Sequence, residues 1–302
     1  MTDSRFQIHE GPPPPGFTSK VSEPIYYSDE YLTVQDHVAT RTILLLDMTE
    51  NHIVGKIIFS TEGSGKMVSM SKAPFGGLCH HADVSSEVLK WWLINIMEKE
   101  MVIRQPPPFY PHFFNPEENH GLSVSTTDLN HHIDLRDYHL GKLHNMQIRR
   151  IRKCKKAGYE LEEVQDENQL VATYQFIAGC REEQGLVINI SLDKFIRSFR
   201  LLPAHYQAFR IIDPYGEIIA ATVVVKVTDQ IVYNYLPASL RKFQTFSPMA
   251  FLLFRVALHY QREGSDILDL GLSSINGVSQ DSLATFKERM GAIRTTKLTY
   301  QA

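Results

Sequence analysis

No apolar run in this sequence approaches the ~20 residues a helix needs to span a bilayer. Cysteine is scarce. Cys79, Cys154 and Cys180 are odd in number and widely spaced, which excludes a disulfide framework and a cysteine-based zinc motif. A strong excess of either charge is also absent. The net charge is −3, so the chain as a whole is not a nucleic-acid binder by composition. No signal-peptide core precedes Gly11-Pro12-Pro13-Pro14-Pro15-Gly16, so a cytoplasmic, reduced setting is expected. What is present is ordinary globular material: 302 residues, 43% hydrophobic and 22% charged. That suffices for one large domain or two of usual size.

Residues 1–20 read as a flexible, Pro-rich tail, because a proline run favours an extended, unpaired backbone. Strand-like stretches follow at 42–46, 52–59 and 67–70, with Glu50-Asn51 as a hairpin turn between the first two. Asp83 or Ser85 can cap a helix on which Val88, Trp91, Trp92, Ile96 and Met97 recur at helical spacing. Residues 122–125 and 131–135 predict two further strands. A basic helix spans about 141–157, with Lys142, Arg149, Arg150, Arg152, Lys153, Lys155 and Lys156 and no acid; Gly158 stops it. Glu160, Glu162, Glu163, Asp166 and Glu167 come next. Two partners are open to the helix: those acids, or an anionic polymer that rewards clustered cations. The domain boundary is expected here, giving domains over 21–158 and 159–302.

The second half predicts helices at 164–183 and 192–199. A three-strand meander follows at 207–212, 218–227 and 230–236, turning at Asp213-Pro214-Tyr215-Gly216 and Thr228-Asp229. A strongly apolar helix at 247–262 ends at Gly264. A buried strand at 267–270, a helix at 281–290 and a last strand at 295–300 complete the order. A helix that starts at Ser247-Pro248 presents unpartnered N–H groups, which suit an anion such as phosphate.

Chemistry-bearing residues cluster in this half, and each has a structural alternative. Tyr233 and Tyr235 lie two apart on a strand and share a face. They either flank an acyl group or acceptor, where a phenol can protonate a leaving thiolate, or simply pack in a core. Arg241 and Lys242 either meet a diphosphate or sit in solvent. Asp269, among Ile267, Leu268 and Leu270, either takes a proton from an amine or pairs with Lys287 or Arg289. Ser273 and Ser274 either touch substrate or form a turn. Lys287, after Phe286, either reaches the site or stays on the surface. His80-His81 and His131-His132 predict no metal site. Adjacent strand residues point apart, and neither pair has a partner at ligand spacing.

Two helices, a three-strand meander, helix, strand, helix and strand: this order resembles the GNAT acyl-CoA N-acyltransferase fold. Three details are similar to Fem-type proteins, which are tandem GNAT-like transferases. They are Ala73-Pro74-Phe75-Gly76-Gly77 in the first half, the Arg149–Gly158 basic helix, and Ser247-Pro248, Asp269-Leu270-Gly271 and Phe286-Lys287 with Gly291 in the second. The resemblance covers roughly residues 40–300. It implies an α+β chain of two GNAT-like domains, each a mixed, mostly antiparallel sheet flanked by helices. It implies an N-acyltransferase that moves an acyl group from acyl-CoA, such as acetyl-CoA, to an amine. Its implied catalytic residues are Tyr235, Asp269 and Lys287. Leu236, Arg241, Lys242, Ser247 and Met249 would meet the donor, and Tyr233, Ser273 and Ser274 the substrate. The alternatives are a Fem-type aminoacyltransferase fed by aminoacyl-tRNA, and a degenerate protein that binds a ligand or partner without chemistry. The 241–247 loop departs from the GNAT pyrophosphate pattern: it holds no glycine, the residue that lets backbone N–H groups approach phosphate. Nor does the second half have room for the coiled-coil arm carried by some tRNA-dependent relatives.

Overall fold

The computed structural model describes residues 5–35, 40–62, 65–115 and 122–301. The first part of the chain forms β1 (Phe6–Glu10), β2 (Thr18–Ser19), α1 (Asp29–Val34), β3 (Thr40–Asp47), β4 (His52–Thr61), β5 (Met67–Ser69), β6 (Cys79–His80), α2 (Ser86–Ile96), β7 (Val102–Arg104) and β8 (Ser123–Asp134). Next come α3 (Asn145–Lys156), β9 (Glu160–Glu163), α4 (Glu167–Glu182), α5 (Leu192–Leu201), β10 (Tyr206–Ile212), β11 (Ile218–Lys226), β12 (Ile231–Asn234) and β13 (Ala238–Ser239). The last elements are α6 (Pro248–Arg262), β14 (Ile267–Leu272), β15 (Ser274–Ile275), β16 (Val278–Ser279), α7 (Asp281–Arg289) and β17 (Ile293–Gln301). The class is α+β, with parallel and antiparallel pairing mixed.

Two compact units emerge. One holds the described residues within Met1–Leu129, Asn276–Val278 and Thr295–Ala302; the other holds Asn130–Ile275 and Ser279–Arg294. The division falls before the basic helix, which belongs with the second unit rather than closing the first.

In the first unit β1, β3, β4 and β5 pair antiparallel in turn, and β5 meets β7 in parallel. The segment expected as a loose tail is partly strand. Phe6–Glu10 pairs along β3, Arg5 bonds Asp47 at 2.7 Å, and Thr18–Ser19 lies beside β4. The physical reason is that β3 would otherwise expose a row of unpaired backbone groups. Ser85 is the cap of α2, its hydroxyl accepting from the Val88 N–H. That helix drives Trp92 into a core with Ile57, Phe59 and Leu89. Gly55 makes this possible: a Cβ there would sit 2.5 Å from the Trp92 ring.

In the second unit the sheet order is β9-β10-β11-β12-β14, followed by the Asn130–Asp134 end of β8. The meander forms as expected, and Asp213 Oδ1 closes its first turn by accepting from Tyr215 N and Glu217 N. Three boundaries differ from expectation. Residues 122–135 yield one long strand, Ser123–Asp134, rather than two. The basic helix begins at Asn145, capped by His144. The helix expected from Val164 begins at Glu167, because Glu160–Glu163 is taken up as an edge strand against β10. α6 packs on β10 and β11 and buries Phe251, Leu252, Val256 and Ala257.

Candidate functional site

The site begins where two strands part. β12 and β14 pair in parallel only at Ile231↔Ile267, Val232↔Leu268 and Tyr233↔Asp269. Beyond that point Tyr235 N turns to Val223 O at 2.8 Å, and the register of β14 slips between Asp269 and Gly271. Gly271 has φ +71°, and the Tyr233 ring lies 3.2 Å from where a Cβ would stand. Only glycine meets both demands without strain. The parting opens a cavity of about 590 Å³. Tyr233 and Tyr235 line one wall, with ring centroids 6.3 Å apart, so they do share a face. Met249 and Leu253 from α6 and Phe286 from α7 supply apolar surface.

Lys287 also lines this cavity, yet it is only 6% exposed. Its ammonium donates to the carbonyls of Gly271 at 2.8 Å and Leu272 at 2.7 Å. Burial pulls its pKa down to about 8, and the nearby Asp269 charge opposes the fall. Asp269 is 2% exposed and does not line the cavity. Its Oδ1 accepts from the Asn130 amide at 2.9 Å and from Gly271 N at 2.8 Å. It therefore holds the bulge and faces Lys287 with charge, a positioning arrangement. Burial pushes the Tyr235 phenol up, with Arg181 opposing, and pushes Tyr233 up more strongly, Asp269 adding to the rise. Both stay protonated at neutral pH and can donate a hydrogen bond.

The remaining expected residues lie outside the cavity wall. Leu236 is buried beside it. Arg241 is exposed in a short 3-10 turn, and Lys242 is tied to Glu217 at 2.5 Å. Ser247 takes a left-handed conformation, φ +55°, ψ +60°, so its hydroxyl does not cap α6. The helix start carries no side-chain cap, but Pro248 has no N–H and Ala250 N already donates to Ser247 O at 3.0 Å, so among its first three positions only Met249 N remains to meet an anion. Ser273 is fully buried, and its hydroxyl meets His131 Nδ1 at 2.9 Å. Ser274 is buried on β15.

Two features went unread in the sequence. Arg181, in the last turn of α4, lines the cavity and has no carboxylate partner among the described residues. His131 bridges Ser273 to Glu288, whose Oε1 lies 3.5 Å from Nε2, and Arg294 bonds the same oxygen. Burial lowers the His131 pKa while Glu288 opposes that fall. No local signal marks either feature. Positions 131, 273 and 288 meet only through the pairing of β8 with β14 and the placement of α7, and position 181 sits on a helix that carries no recognisable motif.

No protein-family model and no curated protein matches the sequence. Solved structures do. The crystal structure of FemX superposes with a TM-score of 0.64 at 11% identity, covering 90% of each chain. A conserved protein of unknown function from Bacteroides thetaiotaomicron gives 0.59 at 10% identity, over 90% of this chain and 89% of that one. L-PGS from Bacillus licheniformis gives 0.56 at 12% identity, over 82% and 81%. The chain has the GNAT-like, Fem-type fold that its element order resembles.

Proposed function

We propose that the protein is an N-acyltransferase whose reaction centre is the cavity between β12, β14, α6 and α7. One observation carries this reading. A buried lysine with a pKa of about 8 lines the cavity beside two phenols, where the sheet parts next to an uncapped helix start. In this reading the donor is an acyl-CoA, with its diphosphate at the start of α6 and its acyl carbonyl near Lys287. A neutral amine attacks the carbonyl, the C–N bond forms, and charge gathers on the carbonyl oxygen. The Lys287 ammonium stabilises that oxyanion in a water-poor site. The C–S bond then breaks. The thiolate takes a proton from Tyr235, which regains one from the attacking nitrogen. Asp269 acts through Lys287 and Gly271, as a positioning residue. Arg181 gives the cavity a second cation, so the substrate that fits carries an anionic group within reach of it.

Positioning alone can supply ~7–11 kcal/mol of the barrier, so a strong base is not required. The helix dipole offers only ~0.3–1 kcal/mol, so the donor site depends on added contacts. That dependence favours a second reading. The 241–247 loop has no glycine and Lys242 is already paired, an arrangement poor for a diphosphate. A donor delivered as aminoacyl-tRNA needs no such loop. Calorimetric titration with acetyl-CoA, longer acyl-CoAs and aminoacyl-tRNA separates the readings. Binding of a CoA species, followed by transfer to an amine, supports the first. Binding of aminoacyl-tRNA alone supports the second. Donor binding with no transfer across a broad amine screen makes the chain a ligand-binding protein.

A further inference from the structure

Opposite faces of α6 serve different surfaces. Met249 and Leu253 face the reaction cavity, whereas Phe254, Arg255, Leu258 and Arg262 line a separate groove of about 610 Å³ with Arg152 and Lys155 of α3. No acid lines this groove. α3 carries Arg149, Arg150, Arg152, Lys153, Lys155 and Lys156, and none forms an ion pair with a carboxylate among the described residues. Four of the five acids that follow α3 are engaged elsewhere. Glu162 holds Arg210 at 2.7 Å, Glu163 accepts from Gln207, Asp166 caps α4, and Glu167 holds Arg200 at 2.6 Å. Lys153 rests on the Phe246 ring, and Arg255 lies over Phe251. The cations are therefore not spent on internal neutralisation, and like charges gathered without counter-charge repel one another.

We propose that the α3–α6 groove is a binding site for single-stranded nucleic acid, with Arg152, Lys155, Arg255 and Arg262 on the phosphodiester chain and Phe254 at the floor beneath a base. A positive groove with an aromatic floor is the arrangement that holds single strands without reading their sequence. A bilayer fits less well. The groove is concave, and no exposed large apolar side chain lies on α3 or α6 to enter lipid. The net charge of −3 does not oppose the assignment, because the cations are concentrated locally.

The test is anisotropy of a labelled single strand, RNA in one arm and DNA in the other, of about 12 nucleotides, within the roughly 4–16 that one fold covers. With about four phosphates engaged, affinity is expected to fall about 50-fold between about 50 and 200 mM salt. The double variant R152Q/K155Q, checked for folding by its melting curve, should bind more weakly and flatten the salt slope by about 1.4. R255Q/R262Q, on the other helix, should do the same. Absence of oligonucleotide binding at low salt, unchanged binding in both folded variants, or binding of anionic phospholipid vesicles in place of oligonucleotide overturns the proposal. No acyl donor enters the titration, so its outcome is independent of the transfer reading.

Discussion

The two units bury polar groups to different ends. In the first, the Tyr27 phenol donates to Gly77 O at 2.5 Å and accepts from Gly77 N at 2.8 Å. Ser69 Oγ accepts from Arg104 N, and Phe75 is walled in by Tyr26, Tyr110 and Phe113. A void there, beside Leu32 and Met70, measures about 20 Å³, barely room for one water. In the second unit, Lys287 and two phenols border about 590 Å³ of open space. Buried polar groups that satisfy one another hold a shape. Buried polar groups that border a void are available to a ligand.

The sharpest test of this contrast is Lys287→Met. Donor turnover should fall ~10²–10⁴-fold, the range of a positioned acid or base, while Lys56→Met in the first unit leaves it intact. Equal losses from both would erase the distinction. Wild-type activity should also decline as pH rises through about 8, where Lys287 loses its proton, and the variant should lack that limb. Stability moves the other way. The folded pKa of about 8 lies below the usual 10.5 of lysine, so unfolding takes up a proton between those values. The Lys287 contribution to stability therefore rises across that window, by up to ~3 kcal/mol, read as wild type minus variant in denaturant melts.

Phe75→Ala addresses the first unit. It should cost ~3–5 kcal/mol in urea unfolding by opening the aromatic cluster, with donor affinity in the surviving folded protein unchanged. A change in donor affinity would tie the first unit to the site. Gly271→Ala adds a Cβ against Tyr233 at a positive φ. A loss of ~1–3 kcal/mol together with a lower transfer rate is expected from melts and steady-state kinetics. Lys242→Ala should be the mildest. Its pair with Glu217 is exposed, so stability should shift by no more than ~1 kcal/mol, and a large loss of donor affinity would restore Lys242 to the donor site.

Much of the fold was legible because it is local. Turn chemistry at Asp213–Gly216 and Thr228-Asp229 marked the meander, Ser85 was one of two candidate caps for α2, and glycines at 158 and 264 marked helix ends with φ of +77° and +84°. The errors were local signals overruled by pairing. Phe6–Glu10 looks like a tail until β3 needs a neighbour, and Glu160–Glu163 looks solvated until β10 recruits it. Among the candidate residues, Tyr233, Tyr235, Met249 and Lys287 meet at one cavity, while Arg181 joined them unannounced. Its contribution comes from a helix 52 positions before Tyr233, counted as 233 − 181, a separation that no spacing rule spans.

Residue order alone was enough to establish the α+β class, the meander and helices of the second half and the presence of a helix dense in cations. These follow from backbone periodicity and from charges that lie next to each other in the chain, whereas the absence of an ion pair on that helix among the described residues emerged only in the fold. Lys287 becoming a buried amine near pH 8, Asp269 becoming its support, and His131 meeting Ser273 required the folded sheet. Such properties depend on the medium around a group and on distances between residues far apart in sequence. Burial and long-range pairing set both, and neither quantity exists until the strands have parted and α7 has closed over them.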